Sequence, residues 1–109
     1  MNDDRPFLLV RAKPLPDEAE RFARWFREVH IRDAGQIPGV AQVRSGRTPG
    51  GAWLAMLIFA NSEAVQQALS SPEAQYARGT WAQWAGKLDE LHIEIFAALG
   101  AMPIFRSRS

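Results

Sequence analysis

Trp25-Phe26-Arg27-Glu28-Val29-His30, followed six residues later by Ile37-Pro38-Gly39-Val40, decides how this chain is read. The first segment closes an amphipathic helix, because Phe22, Trp25, Phe26, Val29 and His30 recur at three- and four-residue spacing and so share one side. The second is a Pro-Gly turn after which the backbone restarts as a strand. Together they deliver a titratable imidazole beside bulky aromatic rings at an apolar surface. His30 is therefore a candidate site residue.

Working outward, Phe7 to Lys13 reads as strand one, bounded by Pro6 before and by Pro14 and Pro16 after, since proline cannot donate to a sheet ladder. Asp17 to His30 is the first helix, with Pro16 and Asp17 suited to its first turn and Gly35 stopping it or a short continuation. Asp17–Arg21, Glu20–Arg24 and Glu28–Arg32 place acid before base at i,i+4, which explains its polar face. Val40 to Arg44 is strand two, 45–51 a Gly/Pro-rich hairpin loop, and Trp53 to Phe59 strand three. Asn61 or Ser62 can cap a helix running to Leu69. Ser71-Pro72-Glu73 starts another, through Tyr76, Trp81, Trp84 and Leu88 with a weak point at Gly79, and Leu91 to Ala97 is strand four. This βαββαβ order predicts an α+β, ferredoxin-like fold with a four-stranded antiparallel sheet and helices on one face.

Composition narrows the function. A length of 109 residues suits a single domain over 1–109, with 106–109 as a disordered, solvated tail. Thirteen basic against twelve acidic residues provide no concentrated basic face for nucleic acid. Absence of cysteine excludes disulfides, thiolate nucleophiles and thiolate metal sites, and suits a reducing compartment. Met1-Asn2-Asp3-Asp4 is acidic where a secretory leader is basic, and Phe7 to Val10 is far too short to cross a membrane. The expectation is a soluble cytoplasmic protein with no membrane and no nucleic-acid partner.

A sheet covered on one side should alternate apolar and polar residues, yet these strands are apolar on both faces. If the helices cover Leu54, Met56, Ile58, Leu91, Ile93 and Ile95, the other face still carries Trp53, Leu57, Phe59, Phe96 and Val40. At about 1.5 to 3 kcal/mol per large side chain, burying that second set rivals the stability of a small domain. The expected solution is a homodimer packed through its sheet faces, with Met102 to Phe105 extending onto the partner. A third layer formed by the Trp81/Trp84 segment crossing that face is the alternative.

The Trp-aromatic-x-x-x-His run at the end of the first helix, the Ile37-Pro38-Gly39-Val40 opening of strand two and the element order resemble the dimeric α/β-barrel superfamily. Within it, the chain looks like small EthD-like, stress-responsive-barrel and antibiotic-biosynthesis-monooxygenase-like proteins. Arg32 stands where members often have a proline two residues beyond the histidine, and strand one lacks the asparagine that the monooxygenases tend to use. The resemblance implies a pocket between helices and sheet in each subunit, binding a small apolar or aromatic molecule. Relatives bind or transform such molecules, some without metal or organic cofactor, and the expectation for this chain is a cofactor-independent homodimer that binds and isomerises, cyclises or oxidises its ligand.

His30 is then the candidate catalytic acid or base, and Phe22, Trp25, Phe26, Tyr76 and Trp81 are candidate substrate-binding residues. The competing reading of His30 is a last-turn histidine that interacts with the helix dipole or bonds a free carbonyl. Trp25 and Phe26 read first as core, with pocket lining as a secondary role. His92 and Glu94 share a strand face and could form a polar cluster with Arg44, read more plainly as an interface ion pair than as metal ligands, so no metal is assigned. A non-catalytic ligand-binding or regulatory dimer uses the same pocket, and a filled pocket would leave a purely structural module.

Overall fold

The computed structural model describes residues 5–97. The expected extension at 102–105 and tail at 106–109 lie outside the described residues. Four strands, β1 (Phe7–Pro14), β2 (Val40–Arg47), β3 (Trp53–Phe59) and β4 (Leu88–Phe96), form an antiparallel sheet in the order β2-β3-β1-β4. β1 therefore pairs with both β3 and β4, and the two halves of the chain meet at the centre of the sheet. This is the α+β ferredoxin-like arrangement expected from the element order.

The first helix passes His30 in a short continuation that stops at Gly35, as expected. A 3₁₀ turn at Pro16–Glu18 leads into α1 (Ala19–Trp25), a π-helical turn at Phe26–His30 and α2 (Ile31–Gly35), with helical backbone throughout. Its salt bridges differ from the i,i+4 pattern: Arg21 pairs with Glu18, and Arg32 lies 3.6 Å from Asp33. At the Pro38-Gly39 turn, glycine is required twice. Its φ is +91°, and a Cβ there would come within 3.1 Å of Ala64.

α3 (Ser62–Leu69) begins at Asn61, whose side chain accepts a hydrogen bond from the Ala64 amide at 2.9 Å. α4 (Pro72–Gly79) runs into a 3₁₀ segment, Thr80–Trp84. Ser71 joins α3 to α4: its hydroxyl accepts from Ala74 N at 3.1 Å and donates to Ala68 O at 2.7 Å, and the residue is buried.

All helices pack on one sheet face, but the face is not the one expected for β3. Val10 pairs with Ala55 and Ala12 with Trp53, so Trp53, Ala55, Leu57 and Phe59 join Val10 and Ala12 in the core. Val40 also packs on that side. Leu54, Met56 and Ile58 point the other way, with Phe7, Leu9 and Phe96. β3 is apolar at every position, so its own pattern carries no information about facing. The pairing register with β1 decides it. Trp81 and Trp84 pack against Phe22 on the helical side, which rules out the third layer across the open face. No helix among the described residues is long and apolar enough to cross a membrane.

Because Ser71 both caps α4 and ties down the end of α3, Ser71→Ala should cost about 1 to 2 kcal/mol. Urea unfolding should show a lower midpoint at unchanged m-value, and an unchanged midpoint would remove this role.

Candidate functional site

Between sheet and helices lies an apolar cavity of about 120 Å³. Its floor is Leu8, Val10, Leu57, Phe59 and Ile93 from the sheet. One wall is His30, Ala34 and Ile37, and the opposite wall is Ala74, Ala77, Arg78 and Trp81, with Leu69 at the end of α3. The space exists because the helices turn alanines toward it. Ala34 and Ala74 are almost fully buried, and they are too small to fill the gap between helix and sheet.

The π turn brings His30 into this wall. A regular helix continued from Phe22 through Trp25 and Phe26 would carry its inward stripe to Val29, but the hydrogen bond from Ile31 N to Phe26 O spans five residues and widens the turn by one. The stripe moves on to His30, Ala34 and Ile37, all buried, while Val29 is only partly buried at the edge of the core. His30 is 4% exposed and enclosed by Trp25 (ring centroids 5.2 Å, stacked), Phe26 (5.2 Å, tilted) and Trp81 (4.9 Å, edge-on).

Neither ring nitrogen of His30 has a hydrogen-bond partner among the described residues. The expected alternative, a last-turn histidine satisfied by a free carbonyl, therefore does not hold, since the helix continues past it to Gly35. Burial lowers the imidazole pKa to about 4, and the nearby charge of Asp33 acts in the opposite direction. His30 is consequently neutral at pH 7. Asp33 is itself buried, with one carboxylate oxygen unpartnered, but it does not line the cavity.

The sequence-derived residues separate into three groups. His30 and Trp81 line the cavity. Phe22, Trp25 and Phe26 form an aromatic layer behind them, with ring centroids 5.6 Å apart for Phe22–Trp25 and Phe22–Phe26, and so act as support rather than as wall. Tyr76 is misplaced by the sequence reading. It is 63% exposed and faces an outer depression with Asp33, Gln36, Pro72 and Glu73, because Ala74, Ala77 and Trp81 take the inward stripe of this segment. Arg78 was missed, although its i,i+4 relation to Ala74 and i,i+3 relation to Trp81 was visible.

His92 and Glu94 contact each other on the open sheet face, and Arg11 pairs with Glu90 alongside at 3.1 Å. Arg44 is on β2, at the opposite edge of the sheet from β4, and does not join them. Among the described residues no group of three or more His, Cys, Asp or Glu could hold a metal ion.

No family model and no curated protein sequence matches the chain. Solved structures do. An EthD-family protein from Bacillus halodurans superposes with a TM-score of 0.68 at 21% identity, covering 86% of this chain and 99% of its own. A candidate antibiotic biosynthesis monooxygenase from Deinococcus radiodurans gives 0.65 at 15% identity, covering 92% and 98%. A mutant of SnoaB, a cofactor-independent oxygenase from Streptomyces nogalater, gives 0.58 at 18% identity, covering 94% and 100%. The chain thus has the ferredoxin-like fold that these EthD-family and antibiotic-biosynthesis-monooxygenase structures share.

Because the folded pKa of His30 lies below its ordinary value of 6.5, the unfolded chain binds the extra proton first as pH falls. Stability should be lost between about pH 6.5 and pH 4, by on the order of 3 kcal/mol, and this residue's contribution should level off below the folded pKa. Unfolding measured across this range should be less pH-dependent in His30→Phe. An equal dependence in both proteins would contradict the buried, neutral imidazole.

Proposed function

We propose that this single-domain protein is a cytoplasmic, cofactor-independent homodimer whose cavity binds a small apolar or aromatic molecule and transforms it by proton transfer at His30. Isomerisation and cyclisation are reactions that such a transfer serves by itself, and oxidation is one that it serves when dioxygen accepts the electrons of the deprotonated ligand. The observation that carries this reading is a buried, neutral imidazole with no hydrogen-bond partner, in the wall of an apolar cavity. A neutral imidazole can accept a proton from an acidic C–H or O–H group of a bound ligand, and the surrounding rings keep water from competing. Sharing a fold with a cofactor-independent oxygenase supports chemistry that needs no bound cofactor.

One observation favours the non-catalytic alternative. A conjugate acid held near pKa 4 makes a weak base at neutral pH, whereas proton transfer is most efficient when the pKa lies close to the working pH. A pocket that binds and does not react is consistent with that value. The two readings separate when the protein is incubated with a panel of small aromatic compounds and products are followed by mass spectrometry. Catalysis predicts product formation that falls about 10²- to 10⁴-fold in His30→Gln, with ligand binding retained. Undiminished turnover in the variant would remove His30 from the chemistry, and binding without product would establish the regulatory or storage reading.

The open sheet face supports the homodimer. Phe7, Leu9, Leu54, Met56 and Phe96 form a partly exposed apolar surface, in which Phe7 stacks on Phe96 with centroids 4.9 Å apart. The Arg11–Glu90 ion pair and the His92–Glu94 contact flank it on the β1 and β4 side. A surface of this kind is best buried by an identical copy with the same pattern. Analytical ultracentrifugation at micromolar concentration should give the dimer mass, and Met56→Lys should shift it to monomer. A monomeric unsubstituted protein would overturn the assembly.

A further inference from the structure

Charge is distributed unevenly over the open face of the sheet. The pairing registers place Arg44 of β2, Met56 of β3, Leu9 of β1 and Glu94 of β4 side by side in one row across it. That row begins on an exposed cation and ends on an exposed anion, with two partly exposed apolar side chains between them. Among the described residues Arg44 makes no ion pair. β2 has no acidic residue, whereas β4 carries Glu90 and Glu94, both exposed. The face is thus basic at one edge, acidic at the other and apolar in the middle.

We propose that two copies of this chain meet through this face about a two-fold axis parallel to the strands, which sets Arg44 of each protomer against Glu94 of the partner subunit. This arrangement rests on the preceding reading that the open face is a homodimer interface, and it specifies how the second copy is oriented.

Symmetry leaves few choices. Sheets packed face to face in the aligned class keep their strand directions within about 30° of each other, so the two-fold lies in the interface plane, either across the strands or along them. An axis across the strands lays each edge over its own counterpart. The two β2 strands then bring their arginines to one side, the two β4 strands bring their carboxylates to the other, and like charges oppose each other at both edges. An axis along the strands exchanges the edges. A two-fold rotation has no translation along its axis, so each row stays at its own level: Arg44 faces the partner's Glu94, and Met56 faces the partner's Leu9. Apolar centres coincide, and opposite charges meet at both edges.

The sheet edges agree with this choice. β2 and β4 are the two edge strands, and the all-antiparallel pairing makes them run in opposite directions. Rotation about an axis along the strands preserves direction, so the partner's β2 approaches β4 in the antiparallel sense that a sheet edge can accept. On the helical side of β4, Leu91, Ile93 and Ile95 are each about half exposed at this edge. Ile93 also belongs to the cavity floor, so the interface borders the ligand cavity.

The test measures the dimer dissociation constant of the full chain by sedimentation at low salt. Arg44→Glu should weaken the dimer about tenfold or more, because it opposes like charges at two symmetric places, and Glu94→Arg should do the same. The chain carrying both Arg44→Glu and Glu94→Arg should recover most of the loss. Added sodium chloride should shrink these differences. An Arg44→Glu protein that dimerises as well as the unsubstituted chain, or better, would overturn the orientation and leave the dimer standing, since an axis across the strands gains by losing the opposed arginines. Losses in the single variants that the combined chain does not recover would also overturn it. If the unsubstituted protein is monomeric, the dimer and its orientation both fall.

Discussion

The enclosure of His30 by three aromatic rings is the constraint on which the other features of the site depend. Withholding hydrogen bonds from a buried imidazole is unfavourable, on the order of 1 to 3 kcal/mol for each unsatisfied group. The aromatic layer compensates by dispersion and burial: Phe22 lies within 6.0 Å, centroid to centroid, of Trp25, Phe26, Trp81 and Trp84. The arrangement unites the long first helix with the 3₁₀ segment before β4. It lowers the pKa of the imidazole and presents one face of it to an apolar space.

The same layer separates support from wall. Large rings fill the end of the core around Trp84, which is 1% exposed and has the Arg21 guanidinium 4.6 Å from its ring centroid. Alanines occupy the other end, where α2 and α4 face the sheet. A core packed with large side chains throughout would have no room for a ligand, and one lined with alanines throughout would not hold the helices on the sheet. The gradient from rings to alanines lets one small domain be stable and hollow together.

Much of the fold was legible in the chain because its signals are local. Trp53 to Phe59 has the same ends in sequence and structure, and the next helix ends at Leu69 as expected with Asn61, one of the two candidate caps, at its start, since Gly-rich and Asn-capped boundaries act over a few residues. β2 runs on past Arg44 to Arg47, and β4 starts at Leu88 rather than Leu91. Pairing with a neighbouring strand extends a ladder past the point where residue preferences end. The candidate site was legible in part. His30 and Trp81 reach the cavity, whereas Tyr76 does not, because the small side chains of Ala74 and Ala77 form the wall on its helix.

By itself the sequence determined the order of elements, the amphipathic first helix with its aromatic and imidazole stripe, and a sheet apolar on both faces. These follow from periodicity, capping and turn chemistry, which depend on residues close in the chain. Only the tertiary structure decided which face of β3 meets the helices, that a π turn sets His30 deeper than Val29, and that Arg78 reaches the cavity. Each of these depends on register against a strand or helix distant in sequence. A continuous apolar run fits either register equally well until its partner is in place.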